Sequence, residues 1–326
     1  MNQVHRLNKA LIAGIVTAAL CGPAMAANYP DKPIRVLVPY APGGATDILA
    51  RMVGKQLSEN LGQPVVIENK AGGNTSIAAT QVARADADGY TLLFTNDATF
   101  VLNPALFKSL NYDIDKEFKP VGTVCDLTLG LVVSSTTAAN SMKELAAYTQ
   151  ANLDKSAYGS FGVGSQPHLM GEMYNKLTGS KVTHVPYKGS SPAVVDVIGG
   201  QTLFTFPAMA TVQGHLKAGK VKVLALSGEA RSPLLPDVPT FTEAGYPEMN
   251  IGGWYGFLAP AGTPDTVIDK LNKSLAQVLD KPDFRKDLIA QGTIPLKLTP
   301  EQFKQRMATE VERTKKIAAM ANISID

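Results

Sequence analysis

The stretch VPYAPGGATDILARMV, Val38 to Val53, decides the fold class. It begins in a β-branched segment, turns at two glycines and continues into a segment whose apolar residues recur at helical spacing. A strand that passes through a turn into a helix is the repeating unit of α/β proteins. The turn could bind a nucleotide phosphate, bind another anion, or form only a tight corner.

Three further units of this kind follow along the chain. The predicted elements are the strand Ile34–Tyr40 with a helix from about Asp47, the strand Val65–Glu68 with a helix over Ile77–Ala85 and a next strand Tyr90–Thr95, the strand SAYGSF with a helix from Pro167 to Leu177, and the strand VTHVPY with the helix PAVVDVIGG. Alternating strands and amphipathic helices favour parallel sheets flanked by helices. We therefore predict an α/β fold.

Two long segments interrupt this alternation. Phe118–Ser135 is extended without a helix, and Val221–Pro247 is a strand followed by a proline-rich loop. We interpret them as two crossings between lobes, near residues 124–126 and 225–227. Lobe 1 then comprises residues 27–123 and 228–326, and lobe 2 is an insertion of residues 124–227. Each lobe is expected to hold a mainly parallel sheet, with the two crossings as a hinge.

The N-terminal residues predict a secretory signal peptide. Arg6 and Lys9 precede an apolar run over 10–20, and the small-x-small pattern at 24–26 predicts cleavage after Ala26. The alternative is a retained anchor, but the run is about half of the ~20 residues that span a bilayer.

Composition limits the function further. The 326 residues are 45% hydrophobic and 18% charged, which is typical of a globular protein. Cleavage removes two of 31 basic residues, leaving 29 against 28 acidic ones, so the net charge falls from +3 to +1 and gives no nucleic-acid footprint. It also removes Cys21 and leaves Cys125 alone, which excludes an internal disulfide and a cysteine metal cluster.

Nucleotide binding is disfavoured by two departures. A phosphate-binding P-loop requires Gly-Lys-Ser/Thr after the glycines, whereas this chain has Ala45, Thr46 and Asp47. The stretch GVGSQP begins like a dinucleotide fingerprint, but Pro167 stands where the third glycine allows helix and strand to pack closely.

Catalytic motifs are missing as well. No G-x-S-x-G elbow occurs, and Ser160 in YGSFG stands one position too early. The four histidines are scattered and form no H-E-x-x-H pair, and Cys125 has no base partner in sequence. We expect no catalytic residue, metal or cofactor, although a triad assembled from distant residues stays open as the enzyme alternative.

Anion binding by neutral donors remains. Each of the four loops brings unpaired backbone N–H groups and the positive end of a helix dipole to the carboxyl end of a strand, where open α/β sheets bind ligands. Lys70 and Lys188 flank two of the loops, and Arg51 lies one turn inside the first helix. For any single loop, ordinary capping and turn chemistry is the alternative.

The assembled motifs resemble the Bug-type periplasmic solute receptors of tripartite tricarboxylate transporters. They are YPDKPIRVLVPYAPGGATDILARMV, VVIENKAGGNTSIAA, ARADADGYTLL, NPALF, HVPYKGSSPAVVDVIGGQ, HLKAGKVKVLAL, LPDVPTFTEAGYP and WYGFLAPAGTP. The resemblance covers the mature chain in the family's order. It implies a two-lobe periplasmic binding protein that closes on a small organic carboxylate and presents it to the large and small subunits of an inner-membrane permease. We expect a monomer; a sensory receptor would have the same sequence features.

The resemblance also implies a ligand-binding set. From the glycine loops of the first lobe it comprises Pro42, Gly43, Gly44, Ala45, Asp47, Asn74, Thr75 and Ser76, and from the next strand end Asn96 and Asp97. The second lobe contributes Gly164, Ser165, His168, Tyr187 and Gly189.

Several of these side chains have a second interpretation. Asp47 is expected to hold its loop, because a carboxylate would repel a carboxylate ligand. His168 either donates into the cleft or lies on the helix surface. Tyr40 and Tyr187 either close on the ligand or pack beneath it, and Trp254 is expected in the core. Gly44 is expected to approach the ligand or to take a positive φ.

One segment departs from the family pattern. Members often have Phe-Asp-Asn where this chain has Phe206, Pro207 and Ala208. The polar wall expected for amino-acid or hydroxy-acid ligands is then missing on that side. We therefore add Pro207 and Ala208 to the set and hypothesise a carboxylate with an apolar or aromatic middle, such as a phthalate-type dicarboxylate, ahead of citrate-like or C4 acids.

Overall fold

The computed structural model describes residues 29–152, 156–228 and 230–321, so the predicted signal peptide lies outside the described residues. The strands are β1 (Ile34–Val38), β2 (Val65–Asn69), β3 (Thr91–Asn96), β4 (Phe118–Leu127), β5 (Gly130–Ser134), β6 (Ala157–Ser160), β7 (Thr183–Pro186), β8 (Phe204–Thr205), β9 (Val221–Leu226), β10 (Gly253–Pro260) and β11 (Ile294–Pro295). The α-helices are α1 (Ala45–Leu61), α2 (Ser76–Ala83), α3 (Asn103–Leu106), α4 (Ile114–Glu117), α5 (Met142–Ala151), α6 (Gln166–Thr178), α7 (Ser190–Ile198), α8 (Met209–Lys217), α9 (Asp265–Asp280), α10 (Pro282–Ala290) and α11 (Pro300–Ala321).

The strands form two mixed sheets flanked by helices. The first has the order β11-β4-β10-β3-β1-β2 and the second β7-β6-β8-β5-β9. In the first, β10 runs against its neighbours β3 and β4, so β1, β2, β3 and β4 share one direction. In the second, β5 runs against β8 and β9, so four of the five strands share one direction. The predicted α/β fold is confirmed, whereas the expectation of mainly parallel sheets is corrected: both sheets are mixed, because β10, β11 and β5 each run against their neighbours.

The four predicted strand-loop-helix units are present with small shifts. The first helix begins at Ala45 rather than near Asp47, and the second ends at Ala83 rather than Ala85. The third helix extends one residue further at each end than predicted. Local spacing therefore located these elements to within about two residues, the usual uncertainty of helix ends.

The chain passes between the sheets twice, and the two passages are hydrogen-bonded to each other. β4 remains in the first sheet through Leu127, and β5 opens the second at Gly130. The Leu129 N–H donates to Ser227 Oγ at 2.9 Å, and the Ser227 N–H donates to the Leu129 carbonyl at 2.8 Å. The division into lobes at residues 124 and 228 stays a prediction.

Glycines allow two helices to lie directly on their sheets. A Cβ at Gly54 in α1 would come within 3.1 Å of Ile67 in β2. A Cβ at Gly171 in α6 would lie 2.0 Å from the Tyr158 ring in β6, closer than atoms can approach. The backbone of α6 therefore rests on an aromatic ring.

The long helix α11 joins both passages. Arg306 pairs with Asp126 of β4 at 2.7 Å and with Glu310 one turn along at 2.7 Å. Arg313 donates to the Asn250 carbonyl at 2.8 Å, just before β10, and α11 also packs against α6, which flanks the second sheet.

Trp254 is fully buried as predicted, with its ring edge-on to a phenylalanine and its indole N–H donating to Glu310 at 2.9 Å. No helix within the described ranges is both long and apolar enough to span a bilayer.

Candidate functional site

The first glycine loop, between β1 and α1, is fastened by Asp47. Its carboxylate accepts the Gly43 N–H at 2.9 Å, the Arg51 Nε at 3.1 Å and the Asn69 amide at 2.9 Å. Burial alone would raise the pKa of Asp47, but these three donors, together with the charge of Arg51, lower it below its usual range. Asp47 is therefore an ionised carboxylate turned toward its own loop, and Arg51 is already paired with it.

The positive φ of this loop belongs to Gly43 rather than Gly44. Gly43 has φ +82°, whereas Gly44 is the extended N-cap residue of α1 with φ −77°. Of the two alternatives for Gly44, the positive φ is excluded, and the approach of its backbone to the ligand stays a prediction. A Cβ on Gly44 would meet nothing nearer than the Ala41 carbonyl at 3.6 Å, and no side chain caps α1. Pro42, Gly43 and Gly44, which lead into this helix end, are exposed.

The second glycine loop, between β2 and α2, has four consecutive residues with positive φ. They are Gly72 (126°), Gly73 (56°), Asn74 (47°) and Thr75 (76°). Asn74 and Thr75 are the non-glycine residues with positive φ in the described part of the chain. A β-branched residue in this region is a genuine outlier, because its Cβ crowds the backbone.

The end of β3 links the two sheets. The Tyr40 hydroxyl donates to Asn96 Oδ1 at 2.6 Å, and Asp97, which is 2% exposed, accepts the Gln166 amide from the start of α6 at 2.7 Å. Gln166 also lies 3.3 Å from the Gly252 carbonyl. The N-terminus of α6, which flanks the second sheet, therefore faces the carboxyl end of β3 in the first sheet.

Asp97 is a buried carboxyl with one satisfied oxygen. Its Oδ1 has no hydrogen-bond partner among the described residues and lies where a Cβ of Gly253 would come within 2.3 Å. Burial, and then the charge of Glu310, raise the pKa of Asp97 well above its usual value, against the opposing effect of Arg306. Asp97 is thus held in its neutral form.

The third loop, between β6 and α6, uses its own side chains. The Gly164 N–H donates to His168 Nδ1 at 3.1 Å, and the Ser165 hydroxyl donates to the Gly162 carbonyl at 2.7 Å, so the N-cap hydroxyl does not cap α6. The His168 ring stacks on His184 with centroids 4.1 Å apart. The His168 ring therefore packs against β7, and its donation to a ligand in the cleft stays a prediction. Burial lowers its pKa and favours the neutral ring.

The fold brings together a serine and a histidine that are far apart in sequence. Ser160 Oγ lies 2.6 Å from His184 Nε2. Ser160 is fully buried, and its Oγ also contacts the carbonyl and the N–H of Gly162 at 3.0 and 3.1 Å. Burial, and then His168, lower the pKa of His184 to about 4. The pair is a packed structural contact beneath the loop rather than an exposed nucleophile.

In the fourth loop, between β7 and α7, Tyr187 packs beneath the turn. Its hydroxyl donates to Asp196 of α7 at 2.6 Å, and its ring lies 3.1 Å from a Cβ built on Gly159. Burial, and then Asp196, raise the pKa of Tyr187 to about 12. Gly189, with φ +118°, is the N-cap of α7 and supplies no side chain to it.

Pro207 and Ala208 lie against the first passage between the sheets. Both are buried; the Pro207 carbonyl accepts the Gly130 N–H at 3.1 Å, and Ala208 forms a β-bridge with Leu129. Their neighbours are thus the hinge segments as well as the second sheet.

Sequence reasoning missed the side chains that support the loops. The side chains of Asn69, Asn103 and Gln166 each hydrogen-bond to a predicted site residue. Asn103 stood within the family-like stretch NPALF, and Gln166 precedes the helix-starting Pro167, but their contacts span 29 and 69 residues and leave no local signal.

Two other features lie outside this set. In the described ranges, no cluster of three or more His, Cys, Asp or Glu side chains is placed to hold a metal ion. An open surface pocket of about 530 Å³ lies over residues 104–117, and its lining includes none of the predicted site residues.

Comparison with known proteins places these features in a family. The sequence model described as "Tripartite tricarboxylate transporter family receptor" matches residues 49–323. BugT of Bordetella pertussis is 36% identical over 300 residues, which cover 92% of this chain and 92% of that protein.

Two solved structures are similar along nearly their whole length. Rpa4515 of R. palustris with adipate has a TM-score of 0.85 and 32% identity, covering 91% of this chain and 99% of that one. MatC of Rhodopseudomonas palustris with bound malate has a TM-score of 0.80 and 32% identity, covering 89% and 99%. The chain therefore belongs to the Bug-type receptors of the tripartite tricarboxylate transporter family. It is a substrate-binding receptor and not an enzyme.

Proposed function

We propose that this receptor binds an organic carboxylate in the periplasm, between the loops of its two sheets, and delivers it to the large and small subunits of a tripartite membrane permease. The observation that carries the proposal is shared by α1, α2, α6 and α7. Each begins at the carboxyl end of a parallel strand, and no side chain caps any of them. Their dipoles and first-turn N–H groups favour an anion, apart from the N–H of Ser76 in α2, which donates to the Gly73 carbonyl.

The donors are neutral, which suits reversible binding. Arg51, the basic residue in the first helix turns, is occupied by Asp47, and the pKa of His168 is lowered so that its ring is uncharged. A carboxylate held by N–H and hydroxyl groups forms weaker hydrogen bonds than one paired with guanidinium. We expect the predicted loop residues, with Tyr40 and Tyr187 beneath them, to form this cradle.

For the ligand, we propose a dicarboxylate with an apolar or aromatic middle. The family resemblance leads us to expect acidic and amide side chains at the positions of Pro207 and Ala208, which are buried here, so this side offers neither charge nor amide donors. The adipate bound to Rpa4515 has an apolar middle between two carboxylates, which supports the same ligand class, whereas the malate bound to MatC favours the C4 alternative.

A thermal-shift and calorimetric screen tests the proposal on the chain from residue 27. The panel is phthalate, terephthalate, adipate, malate, succinate and citrate, with an uncharged diester as control. A ligand at a hundred times its Kd stabilises the folded state by about 2.7 kcal/mol, so its Tm should rise while the diester has no effect. No stabilisation by any acid would contradict carboxylate binding. Tight binding of citrate or succinate without phthalate would contradict the proposed ligand class.

Delivery to a permease is tested in cells. Deleting the gene should abolish uptake of the ligand identified above and leave ligand-dependent gene induction intact. Loss of induction with normal uptake would identify a sensory receptor instead.

A further inference from the structure

We infer that Asn103 is a positioning residue that holds the second glycine loop in its strained conformation, so that the N-terminus of α2 can meet the ligand. This rests on the proposed function. Asn103 is the first residue of α3, 29 positions from the loop, and lies outside the predicted binding set.

The amide of Asn103 reaches both strained residues. Its Nδ2 donates to the Asn74 carbonyl at 2.7 Å and lies 3.3 Å from Thr75 Oγ1. Asn103 and Thr75 are each 5% exposed, so these polar atoms are shielded from water. A donor placed on the carbonyl of a left-handed residue stabilises the conformation that its own side chain disfavours.

Asn103 is itself fixed by a second hydrogen bond. Its Nδ2 lies 3.1 Å from the Tyr112 hydroxyl, which in turn donates to the Thr99 carbonyl at 2.6 Å. Thr99 belongs to a π-helical turn over Ala98–Leu102, which leads from Asp97 directly to Asn103. π-turns are rare and are enriched at functional sites. The chain of bonds runs from this turn through Tyr112 and Asn103 to the loop.

The strain points to function rather than to simple packing. A glycine at position 75 would adopt φ +76° without steric cost, yet the chain has threonine there. Strain of this kind persists only where the surroundings over-determine it, and it clusters at ligand-binding sites. The Asn103 amide donates to the Asn74 carbonyl and lies within hydrogen-bond distance of the Thr75 hydroxyl, so it contacts both strained residues.

The test compares the ligand affinities of the wild type, Asn103→Ala, Thr75→Gly and the double variant. Asn103→Ala should weaken binding of the tightest acid in the screen at least tenfold when Thr75 is present. It should weaken binding less than threefold in the presence of Thr75→Gly, because glycine needs no support at that φ. Equal losses in both backgrounds would overturn the inference.

A ligand-free measurement separates this inference from the proposed function. Thr75→Gly should raise Tm when Asn103 is intact, since it relieves strain, and should lower Tm in the presence of Asn103→Ala, where the loop has already relaxed. The same sign in both backgrounds would overturn the inference even if no acid bound. If the wild-type chain bound no acid but this sign reversal appeared, the proposed function alone would fail.

Two further variants complete the design. Asn272→Ala is the matched control, because Asn272 also donates to backbone carbonyls, at 2.7 and 3.3 Å, but far from the loop. It should lower Tm without changing affinity. Tyr112→Phe removes the hydroxyl that orients Asn103 and should weaken binding by a smaller factor than Asn103→Ala, which keeps the test available should Asn103→Ala fold poorly. Unchanged affinity in Tyr112→Phe and Asn103→Ala alike would contradict the inference.

Discussion

At the scale of single residues, the first glycine loop separates two tasks between neighbours. Gly43 has the backbone conformation that glycine favours, and Gly44 has open space beside an exposed helix end. The first is needed to make the turn, and the second leaves room for whatever approaches the N–H groups of α1.

Substitutions at these two glycines should therefore differ in kind. Gly43→Ala should lower the free energy of unfolding by about 1–2 kcal/mol, because φ +82° crowds a Cβ. Gly44→Val should leave Tm nearly unchanged and weaken ligand binding at least tenfold, because its side chain would cover the N–H groups. Chemical denaturation and calorimetry on both variants check this. Full affinity in Gly44→Val would mean that the loop is scaffold only.

Asp97 gives stability a dependence on pH with a defined sign. A carboxyl whose folded pKa is raised binds a proton more tightly when folded, so stability falls as pH rises above the unfolded pKa of about 4. Asp97→Asn removes this loss. Its Tm should exceed that of the wild type at pH 8, and the difference should shrink as pH falls toward 4.

Asp113→Asn is the control with the opposite sign. The hydrogen bond from Lys116 lowers the pKa of Asp113, so this carboxylate stabilises the fold above its unfolded pKa and less as pH falls. The Asp113→Asn variant should be less stable than the wild type at pH 7 and equal to it near pH 2.

The groups around Asp97, namely Glu310, Arg306, Tyr40 and Tyr255, are the same in the wild type and in Asp97→Asn, so the difference in Tm reports on the Asp97 carboxyl alone. A flat difference across pH for Asp97→Asn would contradict its neutral state.

At the scale of elements, α6 carries the third loop and lies directly on the Tyr158 ring. Gly171→Ala should cost about 1–3 kcal/mol, because the new methyl group overlaps that ring and must displace the helix. Displacing α6 also moves Gly164 and Ser165, so affinity should fall together with Tm. Gly214→Ala in α8 is the control: nothing lies within 4 Å of its Cβ, and alanine should stabilise the helix slightly. Equal effects of the two variants on Tm would argue against this packing.

The helices and strands themselves could be predicted from the sequence, whereas the contacts between distant residues that hold the loops could not. Helical and strand spacing within VPYAPGGATDILARMV and its three companions is local, so α1, α2, α6 and α7 were predicted to within about two residues. The direction of β10, antiparallel to both neighbours, leaves no mark on WYGFLAP. The stacking of His168 on His184 and the contact of Gln166 with Asp97 depend on which strands become neighbours, which only the assembled sheet decides.

At the scale of the whole molecule, partly buried charges fix α11 to β4 at the first passage between the sheets. Arg306 lies between Asp126 and Glu310, with side chains 23–33% exposed. Arg306→Met should destabilise the fold by about 2 kcal/mol, because it removes the cation between two partly buried carboxylates; the figure is reduced for their access to water. Lys315→Met, which breaks an exposed pair with Glu312 on the same helix, should change stability by less than about 1 kcal/mol. Urea unfolding measures the free energy of unfolding of both variants. Equal losses would mean that the Arg306 ion pairs do not hold α11 in place.

The free thiol of Cys125 is protected from oxidation in the folded receptor. It is fully buried in β4, and burial raises its pKa to about 12, so the folded chain offers no thiolate to an oxidant. In an oxidising compartment two folded copies cannot become covalently joined through this sulfur. Only an unfolded chain exposes it, and disulfide-linked dimers would therefore record how often the receptor has lost its structure.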